Sequence, residues 1–352
     1  MGQNDSISGL QQLDKLIENN KYTEAEKVLT KQVDNLIERH LYYEATDYVY
    51  YKGKIAAQLK NSKAAEKSVL EFAKQLSGIT NSGKVLRQLQ LEIGAFYESI
   101  GNNQKALECN QKALEYTKQM PNAMGQDYAL IHSNISVFYS RTGNYQKALS
   151  HLKQSYSYYK KDPTTKPESF YSLYNSMGGI MWYASKIDSA LVYYKKADSI
   201  LITMPPTPWN KYYRTATLKN NMAAIYSIQG NVEASLNAMQ TTIKNLNDYL
   251  KENEPQVKKN QAQTFLFQAI DNCAGIYKDI GDYGKAKELL EYAYQQKSDY
   301  LGAKNIEVTK AKVLLGQIYL SLKEFKKAES HLNQGILEFE SYKKTKLCKE
   351  LN

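Results

Sequence analysis

Ile135-Ser136-Val137-Phe138-Tyr139, then Gly143-Asn144-Tyr145, then Lys147-Ala148-Leu149: this stretch holds the pattern that the rest of the chain repeats. Ile93-Gly94-Ala95-Phe96-Tyr97 leads in the same way to Gly101-Asn102 and Lys105-Ala106-Leu107. Met222-Ala223-Ala224-Ile225-Tyr226 leads to Gly230-Asn231 and Ala234-Ser235-Leu236. Cys273-Ala274-Gly275-Ile276-Tyr277 leads to Gly281-Asp282-Tyr283 and Lys285-Ala286. Leu315-Gly316-Gln317-Ile318-Tyr319 leads to Lys323-Glu324-Phe325 and Lys327-Ala328. Self-similarity at a fixed period marks stacked supersecondary units that share one core.

One small residue after the turn marks each unit: Ala25, Ala65, Ala106, Ala148, Ala190, Ser235, Ala286 and Ala328, at intervals of 40, 41, 42, 42, 45, 51 and 42. Eight units follow, the first two degenerate. Each reads as a helix A, a tight turn and a helix B. Small residues at Gly94, Ser136, Gly178, Ala223, Ala274 and Gly316 let helix B approach helix A, and the marker residue answers from the other side. Tyr97, Tyr139, Tyr226, Tyr277 and Tyr319 fall three residues later and are expected to wedge between neighbouring helices; the Ala190 unit has Met181 there. Gly101, Gly143, Gly230 and Gly281 suit the left-handed residue that ends a helix before a turn. The Ala190 unit puts Ser185-Lys186 there, a less favourable turn.

These units resemble tetratricopeptide repeats (TPR). The resemblance implies an all-α, right-handed α-solenoid of about eight TPR-like helix-turn-helix repeats. The usual TPR period is about 34 residues, so a spacing near 42 is similar to the kinesin-light-chain-like subclass. Tyr300-Leu301-Gly302-Ala303-Lys304 before Glu307-Val308 is similar to that subclass's linker. Asp188-Ser189-Ala190-Leu191-Val192-Tyr193-Tyr194-Lys195-Lys196-Ala197 resembles TPR regions of Bacteroidetes-type bacterial proteins, which often precede a caspase-like protease or a sensor kinase.

The expected organisation is one continuous solenoid: two degenerate repeats over 1–80, central repeats over 81–202, repeats with longer linkers over 203–335, and a capping helix over 336–352. Linkers are expected at Lys161-Asp162-Pro163 to Pro167, Met204-Pro205-Pro206-Thr207-Pro208 and Lys251-Glu252-Asn253-Glu254-Pro255. Phe325 to about Leu351 holds no helix breaker and reads as one long helix, with Ile336, Leu337, Phe339 and Tyr342 as an apolar stripe. That stripe suits a cap, and also an oligomer contact.

Composition narrows the function. The net charge is +10, from 46 Lys and Arg against 36 Asp and Glu, which invites a nucleic-acid reading. The lysines, however, are spread along the whole chain; only Lys343, Lys344, Lys346 and Lys349 cluster. A solvated basic surface explains them better than a nucleic-acid site. No run of 18 apolar residues occurs, so no membrane span is expected. The polar lead-in Met1-Gly2-Gln3-Asn4-Asp5-Ser6 shows no signal peptide. It fits a cytoplasmic chain, or an exported one whose signal has been cut away.

No motif for catalysis, cofactor or metal stands out, and none of these is expected. Cys109, Cys273 and Cys348 have no paired or metal-like spacing. His151, His331 and Cys109 share one repeat position, three residues after the marker, so repeat geometry is expected to keep the histidines (His40 and His132 completing the four) from forming a metal site or dyad. Gly284-Lys285 lacks the earlier glycine and the Ser/Thr of a phosphate loop.

The TPR resemblance implies a concave groove lined by A helices. Its exposed positions would be Asn134, Asn175, Asn220, Asn221, Asp271 and Asn272, with Arg141, Trp182, Tyr183, Ser227 and Lys278 one turn on. Asparagine is a mediocre helix former, so its recurrence asks for a reason. An amide both donates to and accepts from a peptide backbone. In the kinesin-light-chain-like subclass, equivalent asparagines resemble a track for main chain. The same amides could instead bond across repeats and set their stacking. Trp182 is either a groove anchor or a filler in an irregular repeat. The expected function is a non-catalytic protein- or peptide-binding scaffold. The alternative is a regulatory sensor region whose curvature an effector reads. The DNA-binding regulators of similar build carry a helix-turn-helix, and none is recognisable in residues 1–40. A homo-oligomer through terminal repeats stays open.

Overall fold

The computed structural model describes residues 2–351, with side chains for residues 9–344. Among the described residues are seventeen α-helices, one π-helical segment and no strand. They divide into two compact units, Met1–Lys186 and Ile187–Asn352.

The first unit runs α1 (Gly2–Glu18), α2 (Tyr22–Glu38), α3 (Tyr42–Thr46), α4 (Tyr48–Leu59), α5 (Ser62–Ile79), α6 (Gly83–Ser99), α7 (Asn103–Gln119), α8 (Gly125–Arg141), α9 (Tyr145–Lys161) and α10 (Pro167–Tyr183). Pairs α1/α2, α6/α7 and α8/α9 are helices A and B; in the second pair helix A is broken at Asp47 into α3 and α4 before α5. The second unit opens with α11 (Ile187–Leu201) and the π-helical turn Trp209–Arg214. It continues α12 (Thr215–Ile228), α13 (Val232–Lys251), α14 (Gln256–Asp279), α15 (Tyr283–Leu301), α16 (Ile306–Ser321) and α17 (Phe325–Leu351). Each unit is thus an α-solenoid of packed helix pairs. The long final helix is one element, as its sequence suggests. Ile336 and Leu337 on it are exposed, and Phe339 and Tyr342 half-buried.

The marker residues are the pins of the stack. Seven of the eight are fully buried and Ala328 is 2% exposed. Their partners on helix A are as tight as the repeat requires. A methyl added at Gly316 would sit 2.7 Å from Leu332 Cγ, and one at Gly94 would sit 3.0 Å from Asn110 Nδ2 and 3.4 Å from Cys109 Cβ. Ser235, the one marker that is not alanine, donates its hydroxyl to the Ala223 carbonyl at 2.8 Å. The tyrosines wedge between neighbouring repeats. Tyr97 on α6 donates to Glu66 on α5 at 2.9 Å, and Tyr319 on α16 donates to Glu291 on α15 at 2.6 Å. A lysine eight residues on covers four of the five rings: Lys105 over Tyr97, Lys147 over Tyr139, Lys285 over Tyr277 and Lys327 over Tyr319, at 5.1–5.3 Å.

The turns share one chemistry. Gly101, Gly143, Gly230 and Gly281 have φ between 73° and 81°. The following residue returns its N–H to the carbonyl of the wedge tyrosine, as Asn144 does to Tyr139 at 2.8 Å, closing the helix end. That residue then accepts from the third residue of helix B: Asn102 from Lys105, Asn144 from Lys147, Asn231 from Ala234 and Asp282 from Lys285. Ser185 takes the same backbone role with φ 58°, and Lys323 with φ 61°. A Cβ in that region costs about 1 kcal/mol or more. Ser185→Gly is therefore expected to stabilise the first unit by roughly 0.5–1 kcal/mol, after the larger backbone entropy of glycine is subtracted. Urea unfolding of the variant checks this; a loss of stability would show the hydroxyl matters more than the strain.

The long intervals have two causes. The 45-residue interval holds the loop at 202–208 and the π-helical turn, where Trp209 stacks on Tyr213 at 4.0 Å. The 51-residue interval is absorbed mainly by helix, since α13 has 20 residues and α14 has 24.

Candidate functional site

The predicted groove residues lie on A helices of both units. In the first unit Asn134 is half-buried on α8, and its side chain bonds no other described residue. Arg141, at the end of α8, is held by its neighbours. It donates to Glu98 at 2.7 Å and Asn103 at 3.2 Å, and lies 5.8 Å over Phe138. This places it as a strut between the third and fourth repeats. Asn175 on α10 has a buried Oδ1 that meets no donor among the described residues. Trp182 is half-buried and Tyr183 is 65% exposed.

In the second unit the amides meet. Asn272 on α14 donates to Asn220 Oδ1 on α12 at 3.4 Å. Asn272 and Lys278 are exposed, and Asn221 is half-buried. Asp271 points elsewhere: its Oδ2 accepts from Lys297 on α15 at 2.5 Å, and burial raises its carboxyl pKa in spite of that lysine. The amide row thus does bridge repeats at one step, while Asn221 stays uncommitted.

The expectation that repeat geometry keeps the histidines apart fails for one pair. His132 on α8 and His151 on α9 place their Nδ1 atoms 2.9 Å apart, so one donates to the other. Tyr158 stacks on His132 and Tyr139 on His151, with centroids at 5.9 and 5.5 Å. Burial, His151 and Lys118 push His132 down to about 4, and burial lowers His151 as well. A helix pair sets A against B within one repeat, so residues 19 apart can meet even when equivalent residues of different repeats cannot. The signal was present: Gly94 packs on Cys109, and the equivalent residues are Ser136 and His151, one turn from His132. No group of three or more His, Cys, Asp or Glu is arranged to hold a metal among the described residues. No helix among them is long and apolar enough to cross a membrane.

Tetratricopeptide-repeat profiles match residues 86–161 and 309–337. No curated protein matches the sequence. Among solved structures, BtubC (BKLC) from P. vanneervenii has a TM-score of 0.57 at 14% identity, over 68% of this chain and 92% of that one. The apo form of the quorum sensor NprR from B. thuringiensis has 0.53 at 12%, over 96% and 99%. Yeast Tom70 has 0.55 at 13%, over 94% of this chain and 60% of its own. At these identities the likeness is one of fold. Repeat pattern, helix pairing and profile matches agree: the chain carries tetratricopeptide repeats at residues 86–161 and 309–337, among the packed helix pairs of an α-solenoid fold.

Proposed function

We propose that the chain is a non-catalytic scaffold that takes a protein segment along the A-helix face of its repeats. The observation that carries this reading is the group of amides on the neighbouring A helices α12 and α14 of the second unit. Asn220 and Asn272 approach each other across two repeats with Asn272 still exposed, and Asn221 beside them is uncommitted. Amides spaced along a stack of helices offer an extended backbone both donors and acceptors. The fold neighbours support the broad reading, since one is named as a quorum sensor. The fold itself does not choose a ligand.

The test is a peptide-display selection against the full chain, repeated with Asn221→Ala/Asn272→Ala. Each amide hydrogen bond is worth about 1 kcal/mol net, so selected segments should bind the double variant roughly tenfold or more weakly. Both side chains are at least partly in water, so thermal unfolding should change little. Unchanged affinity in a folded double variant would remove the amide track.

A further inference from the structure

Helix B of a repeat turns one face toward the repeat that follows. Counted from the marker residue, contacts fall three positions before it and one, five and eight after it. Three before, Asn103 accepts from Arg141 and Tyr145 stacks on Tyr183. One after, Glu66 accepts from Tyr97 and Lys105. Five after, Glu291 accepts from Tyr319. Eight after, Tyr156 lies against Phe170 and Tyr294 against His331. On α17 these positions hold Phe325, Glu329, Asn333 and Ile336, and all four are exposed, Ile336 by 55%. Leu337 beside it is 65% exposed. The face that this chain elsewhere covers with a helix is therefore open here and still partly apolar, as an interaction surface is. Glu329 occupies the place of Glu66, whose carboxylate takes a lysine from across the interface.

We propose that this face binds a second copy of the chain: α17 packs antiparallel on α17 of the other protomer, about a two-fold axis between Ile336 and Leu337. The charge pattern of the helix selects both that occupant and that direction. At 100° per residue, Glu329, Asn333, Ile336, Leu337, Glu340 and Lys344 lie within about 100° of one side. In the antiparallel register that sets Ile336 opposite Leu337, Glu329 meets Lys344 and Asn333 meets Glu340, each pair twice by symmetry. Glu329 and Lys344 are both exposed, and neither makes an ion pair with another described residue. A parallel arrangement would set Glu329 against Glu329 and Lys344 against Lys344, and like charges oppose pairing. The apolar centre is two residues per helix, so the dimer is weak and its register depends on the charged pairs. This surface is distinct from the amide group, and the inference does not rest on the scaffold reading.

Sedimentation equilibrium of the full chain, loaded at up to about 500 µM, tests this. Wild type should dimerise with a dissociation constant of about 200 µM or tighter, and added salt should weaken the dimer. Ile336→Lys/Leu337→Lys should stay monomeric over the same range with unchanged thermal unfolding, since both side chains are exposed in the protomer. Glu329→Lys and Lys344→Glu should each weaken the dimer severalfold. Glu329→Lys/Lys344→Glu should recover it, because the exchanged charges still match. Mixing the two single variants should likewise give a heterodimer. Asn221→Ala/Asn272→Ala should dimerise like wild type. The proposal is overturned if wild type stays monomeric throughout, which would leave the face to a helix of another protein. It is equally overturned if Ile336→Lys/Leu337→Lys associates as wild type does, or if exchanging both charges fails to restore a dimer that each single change weakens.

Discussion

Replacing Lys297 by methionine lowers the stability of the second unit by about 3 kcal/mol at neutral pH. Lys297 is 1% exposed, and its ammonium ends on Asp271 Oδ2. Methionine keeps much of the length and loses the charge. Asp271 then stays behind, with Oδ1 already lacking a donor among the described residues. Removing one partner of a buried pair leaves an uncompensated charge, at about 3–5 kcal/mol. The carboxylate retains 23% of its exposure, which places this case at the low end. The pH dependence identifies the cause. Asp271 is raised above its ordinary 3.8 by burial even with the lysine present, and loss of the lysine raises it further. A carboxyl whose folded pKa lies above its unfolded one loses stability as pH rises through the folded value. The deficit is therefore full at pH 7 and shrinks as pH falls and the folded protein takes up the proton. Asp271→Leu/Lys297→Met, which removes both charges, should return to within about 1 kcal/mol of wild type. Hydrogen exchange on α14 and α15 is the suitable measurement, because repeat arrays can open in parts. A single variant as stable as wild type, or a deficit independent of pH, would exclude the buried-charge account.

The same pair shows what a sequence with this periodicity does and does not reveal. Marker alanines, small residues on helix A and turn glycines were legible because each is demanded by backbone geometry: a close approach or a positive φ leaves few residue types. The backbone pins found at Ala148, Gly143 and Gly316 follow from that alone. Side chains between the pins are less determined. Asp271 and Asn272 are neighbours in sequence and look alike as candidate groove residues, yet one faces Lys297 inside the stack and the other faces Asn220 and water. A rotation of about 100° between successive helical residues separates those fates, and the repeat pattern fixes that rotation only to within about one position. Arg141 illustrates a second limit. Its partners Glu98 and Asn103 belong to the preceding repeat. Such pairing depends on how repeats stack, which differs from one interval to the next. The π-helical turn at Trp209–Arg214 had no signal beyond the prolines before it and the lengthened interval.

Acid should destabilise the first unit by roughly 3 kcal/mol between pH 6.5 and pH 4, with His132 as the main cause. His132 is 5% exposed and its ring is closed in by Tyr158 and by His151. Two neutral imidazoles satisfy one another, one Nδ1 donating and the other accepting. Two imidazolium rings cannot, since both nitrogens then carry hydrogen. Burial, His151 and Lys118 all favour the neutral form and bring His132 from 6.5 to about 4. The sign follows from linkage. A group with its folded pKa depressed contributes stability above its unfolded pKa and loses it as pH falls toward the folded value. The loss therefore begins below about 6.5 and is complete near 4, at ~1.4 kcal/mol per unit. His151 shifts in the same direction and adds to it. Urea midpoints read by exchange at α8 and α9, taken at pH 7.5, 6 and 4.5, give the slope. His132→Phe keeps a ring against Tyr158 and removes the titrating group. It should be somewhat less stable than wild type at pH 7.5, having lost the bond to His151, and should decline much less toward pH 4.5. Equal acid slopes in the two proteins would mean the pair does not titrate with folding. A flat slope in both would mean that His132 is open enough to water to charge at its ordinary pH.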